Sequence, residues 1–82
     1  MKANNINDFY YGMKRYFDIG CQPAGQKGLV SPELLKAINK HQGTRFMDVV
    51  RYEEELSKDE QFKYELALIS NEAIKEIVKA GN

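Results

Sequence analysis

The stretch from Ser57 to Ala80 constrains this chain more than any other. It opens with Ser57-Lys58-Asp59-Glu60, the spacing of a capping box. In such a box the Ser hydroxyl accepts from the Glu N–H, and the Glu carboxylate reaches back to the Ser N–H. Apolar residues then recur at Phe62, Leu66, Ile69, Ala73 and Ile77, the spacing of one helix face. Ala67, Ile74 and Val78 widen that stripe to about half the circumference, more than the ~100° of a simple surface helix. The pattern predicts one long helix over 58–79, lying across a sheet or between two elements. Tyr64 and Leu68, one turn apart, then fall on its opposite side among Glu65, Glu72 and Lys75.

The rest of the chain must supply what that helix packs on. Residues 8–17 are dense in aromatics, which favours a strand. Phe9, Tyr11, Met13 and Phe17 then share one face with Arg15. Tyr10, Gly12, Lys14 and Tyr16 share the other. A helix capped by Asn7 also fits the apolar spacing. Residues 44–52 carry the same ambiguity up to position 56. As a strand, Phe46, Val50 and Tyr52 line up with Asp48, and Met47 and Val49 lie opposite, between Arg45 and Arg51. As a helix, Thr44 is the cap. Between them, residues 20–28 hold three glycines and a proline and read as a loop. Ser31-Pro32-Glu33 starts a short helix, with Ser as N-cap, Pro at the first position and Glu by the positive helix end. Leu34, Leu35 and Ile38 are its apolar residues, and it ends near Lys40 with Gly43 close by.

These elements predict an α+β fold in one small domain over 1–82. A small antiparallel sheet holds aromatic-rich strands near 9–17 and 45–52. A short helix at 32–40 connects them, and the long C-terminal helix packs across the sheet. All-α is the alternative.

The 12 basic and 12 acidic residues cancel. Zero net charge argues against a general polyanion binder, which needs excess Lys and Arg to displace counterions. One cysteine, Cys21, cannot staple a fold, which points to a reducing compartment. No apolar run approaches the length of a membrane span, and the first residues lack the apolar core of a signal peptide. The expected location is the cytoplasm.

Two segments carry a resemblance. Gly20-Cys21-Gln22-Pro23-Ala24-Gly25 follows an aromatic segment containing Tyr11-Gly12-Met13-Lys14-Arg15. Arg51-Tyr52-Glu53-Glu54-Glu55-Leu56-Ser57 leads into Tyr64-Glu65-Leu66. Together, over most of residues 10–66, these resemble a loose group of small uncharacterised proteins carried by phages and other mobile elements of bacteria. In that group a G-x-Q-P-x-G loop precedes a strand ending in Tyr, and a capped helix bearing Y-E-L closes the chain. The resemblance implies an α+β fold and a mobile-element origin, and no activity.

Catalytic and metal chemistry find little support. His41 is the sole histidine and reads as a solvated residue at a helix C-terminus, where cations are favoured. A tetrahedral zinc site would need several carboxylates beside it and Cys21. Cys21 as nucleophile would have only His41 as base. Glu53-Glu54-Glu55 with Asp59-Glu60 reads as a solvated turn before a helix start. Gly25-Gln26-Lys27-Gly28 lacks the spacing of a P-loop and reads as a flexible connector. No catalytic residue, metal or cofactor is expected, and the chain is read as a non-enzyme.

Binding surfaces remain. Tyr64 and Leu68 are the candidate protein-binding pair, since Tyr is enriched at interfaces. They fit a host protein, including a defence component, or a second copy of the chain. The alternative is a nucleic-acid surface of Tyr10, Lys14, Arg15, Tyr16 and Lys27, with tyrosines stacking bases and cations on phosphate.

Overall fold

A computed structural model describes residues 8–15 and 23–80. Among these residues seven elements run in the order β1 (Phe9–Met13), β2 (Gln26–Leu29), α1 (Pro32–Gln42), β3 (Asp48–Tyr52), α2 (Lys58–Lys63), β4 (Leu66–Ile69) and α3 (Asn71–Ala80). The four strands form one antiparallel sheet in the order β2-β3-β1-β4. The α+β arrangement expected from the sequence is the one present, and the two aromatic-rich segments supply its central pair.

The pairing registers place one transverse row across the sheet. Leu29 lies opposite Val50, Val50 opposite Tyr11, and Tyr11 opposite Leu68. Partners in an antiparallel pair point to the same face, so this row shares a face. The middle pair is buried and the two ends are exposed. On this face Tyr11, Met13, Val50, Tyr52, Leu56 and Leu66 form one core cluster, with Phe9 and Tyr64 packed against it. The other face carries Tyr10, Val49 and Ile69 against Leu34 and Ile38 of α1 and Ala73, Ile74 and Ile77 of α3. A central strand covered on both faces reads as a continuous apolar run, which is why the apolar spacing of β1 also fits a helix.

The caps form as their residue types dictate. Ser31 Oγ accepts from Leu34 N–H at 3.1 Å, Pro32 opens α1, and Gly43 closes it with φ of 67°. The Ser57–Glu60 capping box is present in both directions.

The single helix over 58–79 is corrected. The helix that Ser57 starts ends at Lys63. Glu65 adopts a left-handed φ of 54°, residues 66–69 are extended, and a new helix begins at Asn71. Its start is held by Ser70, whose Oγ accepts from Ala73 N–H at 3.1 Å. Tertiary hydrogen bonding decides this. The β1 backbone presents donors and acceptors on two sides, and burying them unpaired costs more than a short run of helix returns. Only an extended segment places Leu66 in one core and Ile69 in the other. Two further corrections follow. Residues 26–29 are an edge strand rather than a connector. Phe46 precedes β3 and packs on the face of Val49 rather than that of Val50.

Candidate functional site

The corner where α2 turns into β4 gathers the most unusual surface of the molecule. Helix α2 buries none of its residues, and Phe62 in its last turn is 88% exposed. Leaving a phenylalanine in water forgoes about 2 kcal/mol of burial free energy. Phe62, Lys14, Gln61, Lys63, Glu65 and Leu66 line a shallow concavity. The corner is held by its backbone. Lys14 N–H donates to Glu65 O at 3.3 Å, and Glu65 N–H donates to Phe62 O at 3.2 Å. Arg15 Nη2 meets Glu65 Oε2 at 3.2 Å. Lys63 Nζ lies 5.5 Å from the Tyr64 ring centroid, within the range of a cation–π contact. The carbonyl of Leu56 accepts from Gln61 Nε2 at 3.0 Å and ties α2 back to the preceding loop.

The described residues singled out from the sequence lie in several places. Tyr64 caps α2 and packs half-buried against the Tyr11–Tyr52 core, while Leu68 lies on β4 and is 43% exposed. They are not one turn apart on one helix, because no helix joins them. Tyr10 is fully buried on the α1–α3 face, and burial pushes its phenol pKa up. It therefore offers no stacking surface. Lys14 and Arg15 are exposed beyond the Met13 end of β1. Lys27 lies on β2 beside Tyr52 and Arg51, at the opposite end of the sheet, 3.8 Å from Glu53. Tyr16 lies outside the described residues. Of the four described residues of the nucleic-acid reading, Lys14 and Arg15 lie together, and Tyr10 and Lys27 lie apart from them.

Phe62 is the residue that the sequence reading misplaced. Its helical spacing places it in the buried stripe of one long helix, whereas the structure leaves it exposed. A signal existed in Ser70-Asn71-Glu72, a second N-cap with an acid in the first turn. It implies a break upstream and leaves Phe62 on a helix too short to bury it.

Other candidate chemistry stays apart. His41, exposed in the last turn of α1, has Nε2 3.2 Å from Glu76 Oε1 and Nδ1 2.8 Å from Gln42 Nε2. Cys21 lies outside the described residues. The glutamates at 53, 54, 55 and 60 flank a concavity beside Tyr52 and Leu56. Two have other partners, Glu60 in the capping box and Glu53 at Lys27. Among the described residues no group of three or more His, Cys, Asp or Glu side chains is placed to hold a metal ion. None of the described helices is long and apolar enough to cross a membrane.

The model of the family described as Defence against restriction A C-terminal matches residues 7–71. That range includes all four strands, α1 and α2. The chain belongs to this family. The match agrees with the phage and mobile-element character of the resembling group, and makes the chain a phage-associated defence-against-restriction domain. No curated protein and no solved structure matches the chain.

Proposed function

We propose that this chain is the non-enzymatic binding module of an anti-restriction accessory protein. It engages a host restriction protein through the α2–β4 corner, in the cytoplasm where restriction meets incoming DNA. The observation that carries this reading is the exposure of Phe62. An exposed aromatic ringed by Lys14, Gln61 and Lys63 has the makeup of an interface anchor with a polar rim. Membership in the defence-against-restriction family supplies the class of partner.

The test is titration of the protein into a purified host restriction enzyme, followed by calorimetry. Phe62→Ser weakens binding at least tenfold, the scale of losing one anchor of about 1.4 kcal/mol or more. The fold survives, since α2 buries no residue. Undiminished binding by Phe62→Ser removes this corner from the interface.

The same corner supports a second reading as a single-strand nucleic-acid platform. Phe62 would then stack a base while Lys14 and Lys63 contact phosphate. Zero net charge weighs against it. A labelled single-stranded oligonucleotide that binds at low salt, and loses affinity steeply as salt rises, would favour it.

A further inference from the structure

The two edges of the sheet are built differently. The β2 edge carries Lys27, Gly28 and a register shift between Gln26 and Gly28. Charged side chains and bulges are devices that prevent strands from adding to an edge. The β4 edge reads Leu66-Ala67-Leu68-Ile69 in unbroken register. It has no charge, proline or bulge.

The hydrogen-bond phase says which β4 groups face outward. Lys14 N–H donates to Glu65 O, so the pair 14/65 is a hydrogen-bonded one. Bonded pairs alternate in an antiparallel ladder. Ala67 and Ile69 therefore also bond toward β1, and the N–H and C=O groups of Leu66 and Leu68 point away from it. The far side of the sheet agrees. Val30 N–H donates to Val49 O, which turns Val50 toward Tyr11 and leaves Tyr11 facing β3 rather than β4. No described residue hydrogen-bonds the outward groups of Leu66 and Leu68.

We propose that β4 is the seam of a homodimer. Two copies pair antiparallel about a two-fold axis normal to the sheet that passes midway between their Ala67 residues. Such an axis keeps each face on its own side, so Leu66 and Leu68, which share a face, must meet residues of that face in the other copy. Leu66 opposite Leu68 of the second copy satisfies this and makes two bonded pairs, hence four new hydrogen bonds. The two sheets become one of eight strands, and the exposed Leu68 side chain gains Leu66 of the second copy as a neighbour. The strand is self-complementary in both hydrogen-bond phase and face. An isologous interface has these properties. Zero net charge leaves no long-range repulsion between copies.

The experiment is sedimentation equilibrium of the full chain, with amide exchange read by NMR. Wild type sediments at twice the chain mass, and its Leu66 and Leu68 amides are protected. Leu68→Pro removes an outward N–H and no inward ladder bond, a position where an edge strand tolerates proline. Leu68→Lys adds an edge charge and keeps the backbone intact, should the proline variant misfold. Both sediment as monomers, and Leu68→Lys retains the wild-type circular dichroism. Leu29→Lys on the other edge and Phe62→Ser both remain dimeric, which separates this seam from the restriction-binding corner. A monomeric wild type overturns the proposal, as does a dimer that survives Leu68→Lys. Protection of the Leu66 and Leu68 amides that appears only when restriction enzyme is added assigns the edge to that protein and overturns the homodimer.

Discussion

The ring of Phe46 lies directly over the Cα of Gly12, where a Cβ would overlap its ring atoms. Gly12 sits mid-strand between Val49 and Ala67, in ordinary extended backbone. Elsewhere, replacing a strand glycine by alanine gains roughly 0.5–1 kcal/mol through the unfolded chain. Here the methyl group displaces Phe46 from the core, and overpacking costs about 1–3 kcal/mol. Gly12→Ala is therefore expected to destabilise the protein in urea titration. In a Phe46→Ala background the same change becomes neutral or stabilising. A stabilising Gly12→Ala in the wild-type background would show that Phe46 does not dictate the glycine.

The buried tyrosines make stability sensitive to alkali. Tyr52 donates its hydroxyl to Pro23 O at 2.7 Å, and Tyr11 Oη accepts from Leu56 N–H at 2.8 Å. Their rings meet edge-on, with centroids 5.7 Å apart. Burial pushes Tyr52 up to about 12 from the ordinary 10.0, and raises Tyr10 and Tyr11 as well. The sign follows from the folded chain keeping a proton that the unfolded chain releases. Tyr52's contribution is whole below about pH 10 and is lost as pH climbs toward about 12, by up to roughly 2–3 kcal/mol. Urea midpoints across that range are expected to fall. Tyr52→Phe loses about 1 kcal/mol at neutral pH with its hydrogen bond but shows a shallower alkaline decline. An equally steep decline in Tyr52→Phe would move the effect to the other tyrosines.

Local chemistry was legible wherever one or two residues suffice. Ser31, Pro32, Gly43 and the Ser57–Glu60 box set helix ends through bonds within four residues, and each is present. The aromatic segments were legible as strands, because β-branched and aromatic residues suit a half-buried pleat. Strands β2 and β4 were not. Gln26-Lys27-Gly28-Leu29 has no strand propensity of its own, and its pairing partners, Val50 to Tyr52, lie far along the chain in β3. Leu66–Ile69 matches helix periodicity, and only the demand of β1 for a second neighbour makes it extended. The candidate site inherited that error. With a continuous helix, Phe62 belongs in the core and Tyr64 outside. With the break, their roles exchange.

Two ion pairs offer a contrast in burial. Asp8 Oδ2 lies 3.4 Å from Arg51 Nη1, with side chains 5% and 18% exposed. Arg15 and Glu65 meet at 3.2 Å with 67% and 41% exposed. Solvent screens the second pair, so Arg15→Met is expected to cost under about 1 kcal/mol. Arg51→Met strands a buried carboxylate and is expected to cost roughly 3 kcal/mol or more. Asp8→Asn with Arg51→Met recovers part of that loss, because the uncompensated charge is gone. Thermal unfolding of the three variants decides this. Equal losses from Arg15→Met and Arg51→Met would show that burial does not distinguish the pairs.

Glu65 is where the predicted long helix breaks. It is the one described residue other than glycine with a left-handed φ, 54°. That conformation costs an ordinary L-residue roughly 1 kcal/mol and glycine nothing. A β-branched residue is the least tolerant of it. The Arg15 contact of Glu65 is largely exposed and returns little. Glu65→Gly is therefore expected to be neutral or to stabilise by up to about 1 kcal/mol, whereas Glu65→Val destabilises by about 1–2 kcal/mol. The competing geometry, an uninterrupted helix through Tyr64, Glu65 and Leu66, orders these variants in reverse. Glycine would be the costlier there, by about 1 kcal/mol against alanine. The rank of Gly against Val in urea denaturation thus reports the backbone at this position. A more stable Glu65→Val would restore the continuous helix and remove β4.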